Sequence, residues 1–262
     1  MRPVTCRRLS RRALLAPLAA VFALLPVAVA VAADPTREEL SDLEAKAQYA
    51  FFTGDMNALR GLAKSSRTLA ESEQPLVLYH YAHVQFRLLQ VASLSRAKKE
   101  ADAAGEACVA ALDRAVDKDP RFAEGLALQS NCYGYLASLG PLNAMTAGPR
   151  AASRAEAAAK LNPRNPRVLL SEAASLYLRP AAFGGDRAAA APLFRRAAEA
   201  FDTLDASRPG EPTWGAAEAW LFVGRTYEDA GDVLAARDAY EKALLIAPEF
   251  ARARERRAGL TR

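Results

Sequence analysis

The sequence predicts an all-α fold, an α-solenoid of about five helix hairpins closed by a C-terminal helix. Three observations predict it. Alanine dominates the chain, and apolar residues recur at intervals of three and four without the alternation a strand requires. A glycine-aspartate pair separates helical stretches at Gly54-Asp55, Gly185-Asp186 and Gly231-Asp232. Alanine-rich stretches stop at Pro120, Pro163 and Pro248, where proline cannot continue a helix.

The chain opens on a basic head, with Arg2, Arg7, Arg8, Arg11 and Arg12. An apolar run from Ala13 to Ala30 comes next, then Ala30 and Ala32 at the small-residue spacing of a cleavage site. Residues 1–33 therefore read as a secretory signal peptide, with a transmembrane anchor as the alternative. Ser10-Arg11-Arg12 also resembles a twin-arginine export signal, although an ordinary Sec signal accounts for the same arginines. The expected location is periplasmic or secreted, and the remaining chain is not expected to span a membrane. The whole sequence has 35 Lys+Arg against 30 Asp+Glu, and the export segment holds five arginines and no acid. The chain beyond residue 33 is therefore balanced in charge, which removes the bulk electrostatic case for nucleic acid.

Five hairpins are expected at about 36–72, 75–120, 121–163, 166–208 and 214–249, with a cap over 250–262. Glycine in the turn adopts a left-handed conformation cheaply, and the aspartate after it can cap the second helix. The third hairpin carries Gly/Pro-rich residues from Ser138 to Arg150, read here as an enlarged loop. The fourth carries Leu178 to Phe183 as a shorter insertion before Gly185-Asp186. Loops on a rigid scaffold commonly carry binding. Cys108 and Cys132 lie 24 residues apart and each twelve from a turn near Pro120. Antiparallel helices would bring them level, so they are a disulfide candidate; two small unbonded core residues are the alternative.

The fifth hairpin is the most regular. From Ala217 it reads AEAWLFVGRTYEDAGDVLAARDAYEKALLIAPEF, with Trp220, Gly224, Tyr227, Gly231, Ala236, Tyr240, Ala243 and Pro248 at fixed spacing. This resembles the 34-residue tetratricopeptide repeat (TPR). The element Pro180, Phe183, Gly184, Gly185, followed by Ala190, Phe194, Pro212 and Trp214-Gly215, resembles a subfamily of exported bacterial TPR proteins. The resemblance implies a groove lined by the first helix of each hairpin. In that register the groove column is His83 and Arg87, Asn131 and Tyr135, Ser175 and Arg179, then Arg225, Glu228 and Asp229, with a merely solvated polar face as the alternative. Phe183 and Trp214 join it as partner-binding candidates from the loops, with local loop packing as the alternative for both. The lysine-asparagine clamp by which some family members grip a C-terminal carboxylate is not met.

His80 and His83, the two histidines of the chain, stand at i, i+3 with no third ligand evident in sequence, so a groove-lining or core role is expected and no metal site. Phosphate-loop, nucleophile-elbow and dinucleotide motifs are missing, so no cofactor and no enzymatic activity are expected. The expected function is an exported non-catalytic scaffold that binds a protein or peptide through its groove and enlarged loops. The alternative is a periplasmic protein that encloses a small molecule and assists a solute transporter.

Overall fold

The computed structural model describes residues 34–204 and 208–260, and the regular elements among them are helical, without a strand. The export segment read at 1–33 lies outside the described residues. Eleven α-helices follow one another: α1 (Arg37–Thr53), α2 (Met56–Ser65), α3 (Pro75–Leu94), α4 (Lys98–Lys118), α5 (Ala123–Ser138), α6 (Pro141–Leu161), α7 (Pro166–Leu178), α8 (Arg187–Asp202), α9 (Ala216–Asp229), α10 (Val233–Ile246) and α11 (Ala251–Gly259). The first ten form five antiparallel hairpins, and α11 covers the last.

Local chemistry sets the helix ends. Thr36 and Glu39 form a capping box at the start of α1. Gly54 and Gly231 are left-handed (φ 71° and 77°), and Asp55 and Asp232 behind them cap α2 and α10 through bonds to Ala58 N and Ala235 N. In both turns the aspartate N–H reaches back five residues, to Ala50 O at 2.8 Å and Tyr227 O at 2.9 Å. The fourth hairpin keeps that closure across its insertion. Asp186 N reaches Leu176 O at 3.0 Å, ten residues back, and Asp186 still caps α8 through Ala189 N.

The inserted segment is tightly held. Phe183 N and Gly185 N both donate to Pro180 O, and Gly184 N donates to Ala181 O. Gly184 is left-handed at φ 84°, and a Cβ on Gly185 would lie 1.8 Å from Arg179 O. Two consecutive glycines are required for two different reasons, one of conformation and one of space. Gly185→Ala should therefore open this loop and cost roughly 1–3 kcal/mol. Faster proteolytic cleavage within 179–186 and a lower urea midpoint would show it; an unchanged midpoint would refute it.

The region from Ser138 to Arg150 is corrected: it is not an enlarged loop. The turn is only Leu139-Gly140, and Pro141 to Arg150 are the first turns of the 21-residue α6. Proline at the first helical position has no N–H to lose, so Pro141 starts the helix instead of preventing it. Pro149 removes one hydrogen bond inside α6 without ending it.

First helices pack beside first helices, α1 on α3, α3 on α5 and α5 on α7, while each second helix bridges to the next hairpin. Alanines fill the closest approaches; a Cβ on Gly224 would lie 2.4 Å from the Tyr240 ring, so α9 and α10 approach closely only because that position is glycine. Cys108 on α4 and Cys132 on α5 are fully buried and joined as a disulfide, with Cα atoms 6.4 Å apart. Helix α3 is buried over the whole run Val77–Ala92, on its polar face as well as its apolar one. The reason is that the first and last hairpins meet. Phe52 of α1 packs on Phe250 at 4.4 Å between ring centres, and the segment entering α9 crosses α1 and α3.

Candidate functional site

Helix α3 carries four polar residues at helical spacing, His80, His83, Arg87 and Gln90, in a run that is otherwise apolar but for Gln85. They face the same side as Glu44 and Gln48 of α1. Over this face lies the irregular segment Arg208 to Gly215 between α8 and α9. Side chains of the first helices bond its backbone group by group. Ser41 Oγ accepts from Gly210 N at 2.8 Å, and His80 Nε2 donates to Gly210 O at 2.8 Å. Glu44 Oε1 accepts from Thr213 N, Thr213 Oγ1 and Trp214 N at 2.7, 2.6 and 3.1 Å. Arg167 of α7 donates to Trp214 O at 3.2 Å. The Trp214 ring stacks on His83 (5.4 Å between centres), and its indole N–H donates to Tyr79 OH at 2.9 Å.

Arg87 lies at the centre of this cluster. Its guanidinium pairs with Glu218 at the start of α9 and donates to Gln48 Oε1, Gln90 Oε1 and His83 Nε2. It also sits 4.3 Å from the Phe51 ring centre and 5.0 Å from that of Trp214. Arg167 repeats the device one layer on, pairing with Glu124 at 3.0 Å. Both arginines are buried, and burial of a charge is tolerable only with such pairing.

His83 accepts from Arg87 Nε at 3.0 Å, which leaves the ring proton on Nδ1. Burial, then the charges of Arg87, His80 and Arg167, hold its pKa well below the ordinary histidine value. The folded state thus resists a proton that the unfolded state accepts below about pH 6.5. The contribution of neutral His83 is complete above that pH and is lost as pH falls below it. Stability should drop by about 1.4 kcal/mol per pH unit more in the natural chain than in His83→Gln, which keeps an acceptor for Arg87. His80, Glu44 and Glu218 of the same cluster, with Arg87 and Arg167, are present in both chains. Urea denaturation at pH 5, 6 and 7 reads it; parallel pH profiles would refute it.

The structure divides the residues predicted for the groove. His83, Arg87 and Trp214 are together, but buried under the chain's own 208–218 segment; groove exposure is corrected for Arg87, while His83 and Trp214 take the core and packing roles that were their alternatives. The others are partly exposed. Asn131 donates to Ser171 Oγ at 2.9 Å, and Tyr135 OH accepts from Gln90 Nε2 at 3.2 Å. Arg179 donates to Ser175 Oγ. Arg225 lies 4.9 Å from the Tyr177 ring centre, Glu228 accepts from Tyr240 OH, and Asp229 accepts from Tyr177 OH. Phe183 stands apart from these, on the inserted loop. The sequence reading missed Glu44, Gln48, Glu218 and Arg167. Glu44 and Gln48 sit four apart on α1, a polar stripe comparable to that on α3. Among the described residues no group of three or more His, Cys, Asp or Glu is placed to hold a metal ion, and no helix is long and apolar enough to cross a membrane.

Solved structures give the comparison. The fold is similar to that of the HusA haemophore from Porphyromonas gingivalis, with a TM-score of 0.57 and 21% identity over 74% of this chain and 91% of that one. It is also similar to a thermophilic TPR protein of Thermus thermophilus, with a TM-score of 0.53 and 21% identity over 86% of this chain and 99% of that one. The chain is a TPR-like α-solenoid. No protein-family model and no curated protein sequence matches it. The 208–218 crossing lies over the side of α1, α3 and α7 that carries Glu44, His80 and Arg167.

Proposed function

We propose that this TPR-like solenoid is an exported, non-catalytic scaffold that holds a polypeptide partner on the inner face of its first helices. One observation carries the reading. That face already holds a non-helical segment of its own chain, gripping five backbone groups between Gly210 and Trp214 through side chains of α1, α3 and α7. Side chains that read a backbone, with one pocket for an aromatic, are the means by which a rigid surface recognises an extended peptide. The part of the face that this segment leaves accessible carries Asn131, Tyr135, Ser175, Arg179, Arg225 and Glu228. A partner segment would lie there, its carboxylates near Arg179 and Arg225. A preorganised scaffold spends little ordering entropy on such binding.

Photocrosslinkers placed at Tyr135, Arg179 and Arg225 in producing cells test this. They should trap one polypeptide that a probe at the outward-facing Glu156 does not. Arg179→Ala/Arg225→Ala should abolish that product. Equal trapping from inside and outside, or trapping indifferent to the double variant, would overturn the proposal. Similarity to a haemophore favours a second reading, a small-molecule carrier. On this chain such a carrier would have to use a shallow, open cleft lined by Asp113, Tyr133, Pro149, Arg150, Ser153 and Arg154. Native mass spectrometry of the purified chain separates the two: a copurifying small molecule supports the carrier.

A further inference from the structure

The exposed apolar side chains are not scattered. Of the eleven large ones among the described residues, seven lie where a hairpin turns: Leu94, Leu142, Met145, Leu178, Phe183 and the pair Val233-Leu234. In a stack of hairpins these turns share one edge. Contacts between neighbours join it up. Asn143 at the third turn donates to Asp102 beside the second at 3.0 Å, and Lys98 Nζ lies against Gly140. Helices α5 and α7 pack side by side, and Arg187 at the fourth turn pairs with Asp229 at the fifth at 3.4 Å.

Cations outnumber acids at the second turn of this edge. Glu100 pairs with Arg60 and, further along, Asp229 with Arg187; Asp102 and Asp186 are hydrogen-bonded to Asn143 and to the start of α8 and keep their negative charge. Arg96, Lys98 and Lys99 are exposed and, among the described residues, have no carboxylate within ion-pair distance. The apolar groups protrude instead of lining a hollow. Leu142 and Met145 are 80% and 76% exposed on the first turns of α6, and Phe183 is 73% exposed at the tip of its pinned loop. Neither the cleft at Tyr133 nor a second one beside Leu40 includes them.

We propose that the hairpin-turn edge of the second to fourth repeats is a peripheral docking surface for an anionic lipid bilayer. Protruding leucine, methionine and phenylalanine enter the headgroup-acyl boundary, while Arg96, Lys98 and Lys99 meet lipid phosphate. Single projecting side chains suit insertion between lipids; a protein partner of the same charge would call for a hollow or flat apolar patch to pack against. The surface adjoins the inner face at Arg179, whose guanidinium lies beside Gly184, so the test varies only side chains that the scaffold reading does not use.

The test is co-sedimentation of the full chain with phosphatidylglycerol-containing vesicles and with purely phosphatidylcholine vesicles. Comparison between variants of the same chain removes any contribution from the apolar run near the N terminus. Leu142→Ser/Met145→Ser/Phe183→Ser should weaken binding to the anionic vesicles at least tenfold. Lys98→Glu/Lys99→Glu should weaken it by about fivefold per charge at low salt and less at high salt. These side chains are exposed, so circular dichroism and thermal unfolding of the variants should match the natural chain. Binding that ignores both variants, or that is equal on the two vesicle types, overturns the proposal. So does absence of vesicle binding together with capture of an acidic polypeptide such as polyglutamate that the triple variant loses, which would assign the edge to a protein partner.

Discussion

Arg87→Ala should destabilise the folded chain by about 3–5 kcal/mol, a large part of a domain's total stability. The deletion removes one side chain but disturbs every group around it. Glu218 loses its cation while remaining buried, with one oxygen already lacking a hydrogen-bond partner. His83, Gln48 and Gln90 each lose a donor, and the rings of Phe51 and Trp214 lose the group packed between them. Because these residues belong to α1, α3 and α9, the loss should loosen the crossing segment as well as the core. The double variant Arg87→Met/Glu218→Leu should recover most of the stability, since an apolar pair of similar volume leaves no buried charge unpaired. Urea denaturation of the two variants reads both effects. A cost below about 1 kcal/mol for the single change would mean that the cluster is open to water and that the inner face is free.

How legible this was in the sequence depends on the range of the interactions. Gly54-Asp55, Gly185-Asp186 and Gly231-Asp232 mark their turns because a left-handed glycine and a capping aspartate act within five residues. Ser138 to Arg150 misled for a related reason. Proline and glycine signal a break in general, yet Pro141 occupies the one helical position where proline costs nothing. The register of α3 correctly placed His83 and Arg87 on one face, because helical spacing is local. Whether that face is open is not a local property. It is decided by contacts such as Arg87 to Glu218 and Glu44 to Trp214, 131 and 170 residues apart in sequence. A lone histidine or arginine carries no sign of what will cover it. The combined stripes Glu44-Gln48 and His80-His83-Arg87-Gln90 were the available hint, since so many polar groups facing an apolar stack require partners.

Removing the Cys108–Cys132 bond should cost about 3 kcal/mol, the chain-entropy value for a loop of this size. The two helices it joins, α4 and α5, lie in the middle of the array, so the bond restricts the unfolded chain around its centre. Cys108→Ala/Cys132→Ala is the suitable replacement, because serine would bury two hydroxyls with no assured partner. In the natural chain the urea midpoint should fall on adding reductant; in the double variant it should start lower and not move. No free thiol should be detectable at either position before reduction. A chain made in a reducing compartment should behave like the double variant. Equal midpoints with and without reductant, once both thiols are shown to be free, would show that packing alone holds α4 against α5.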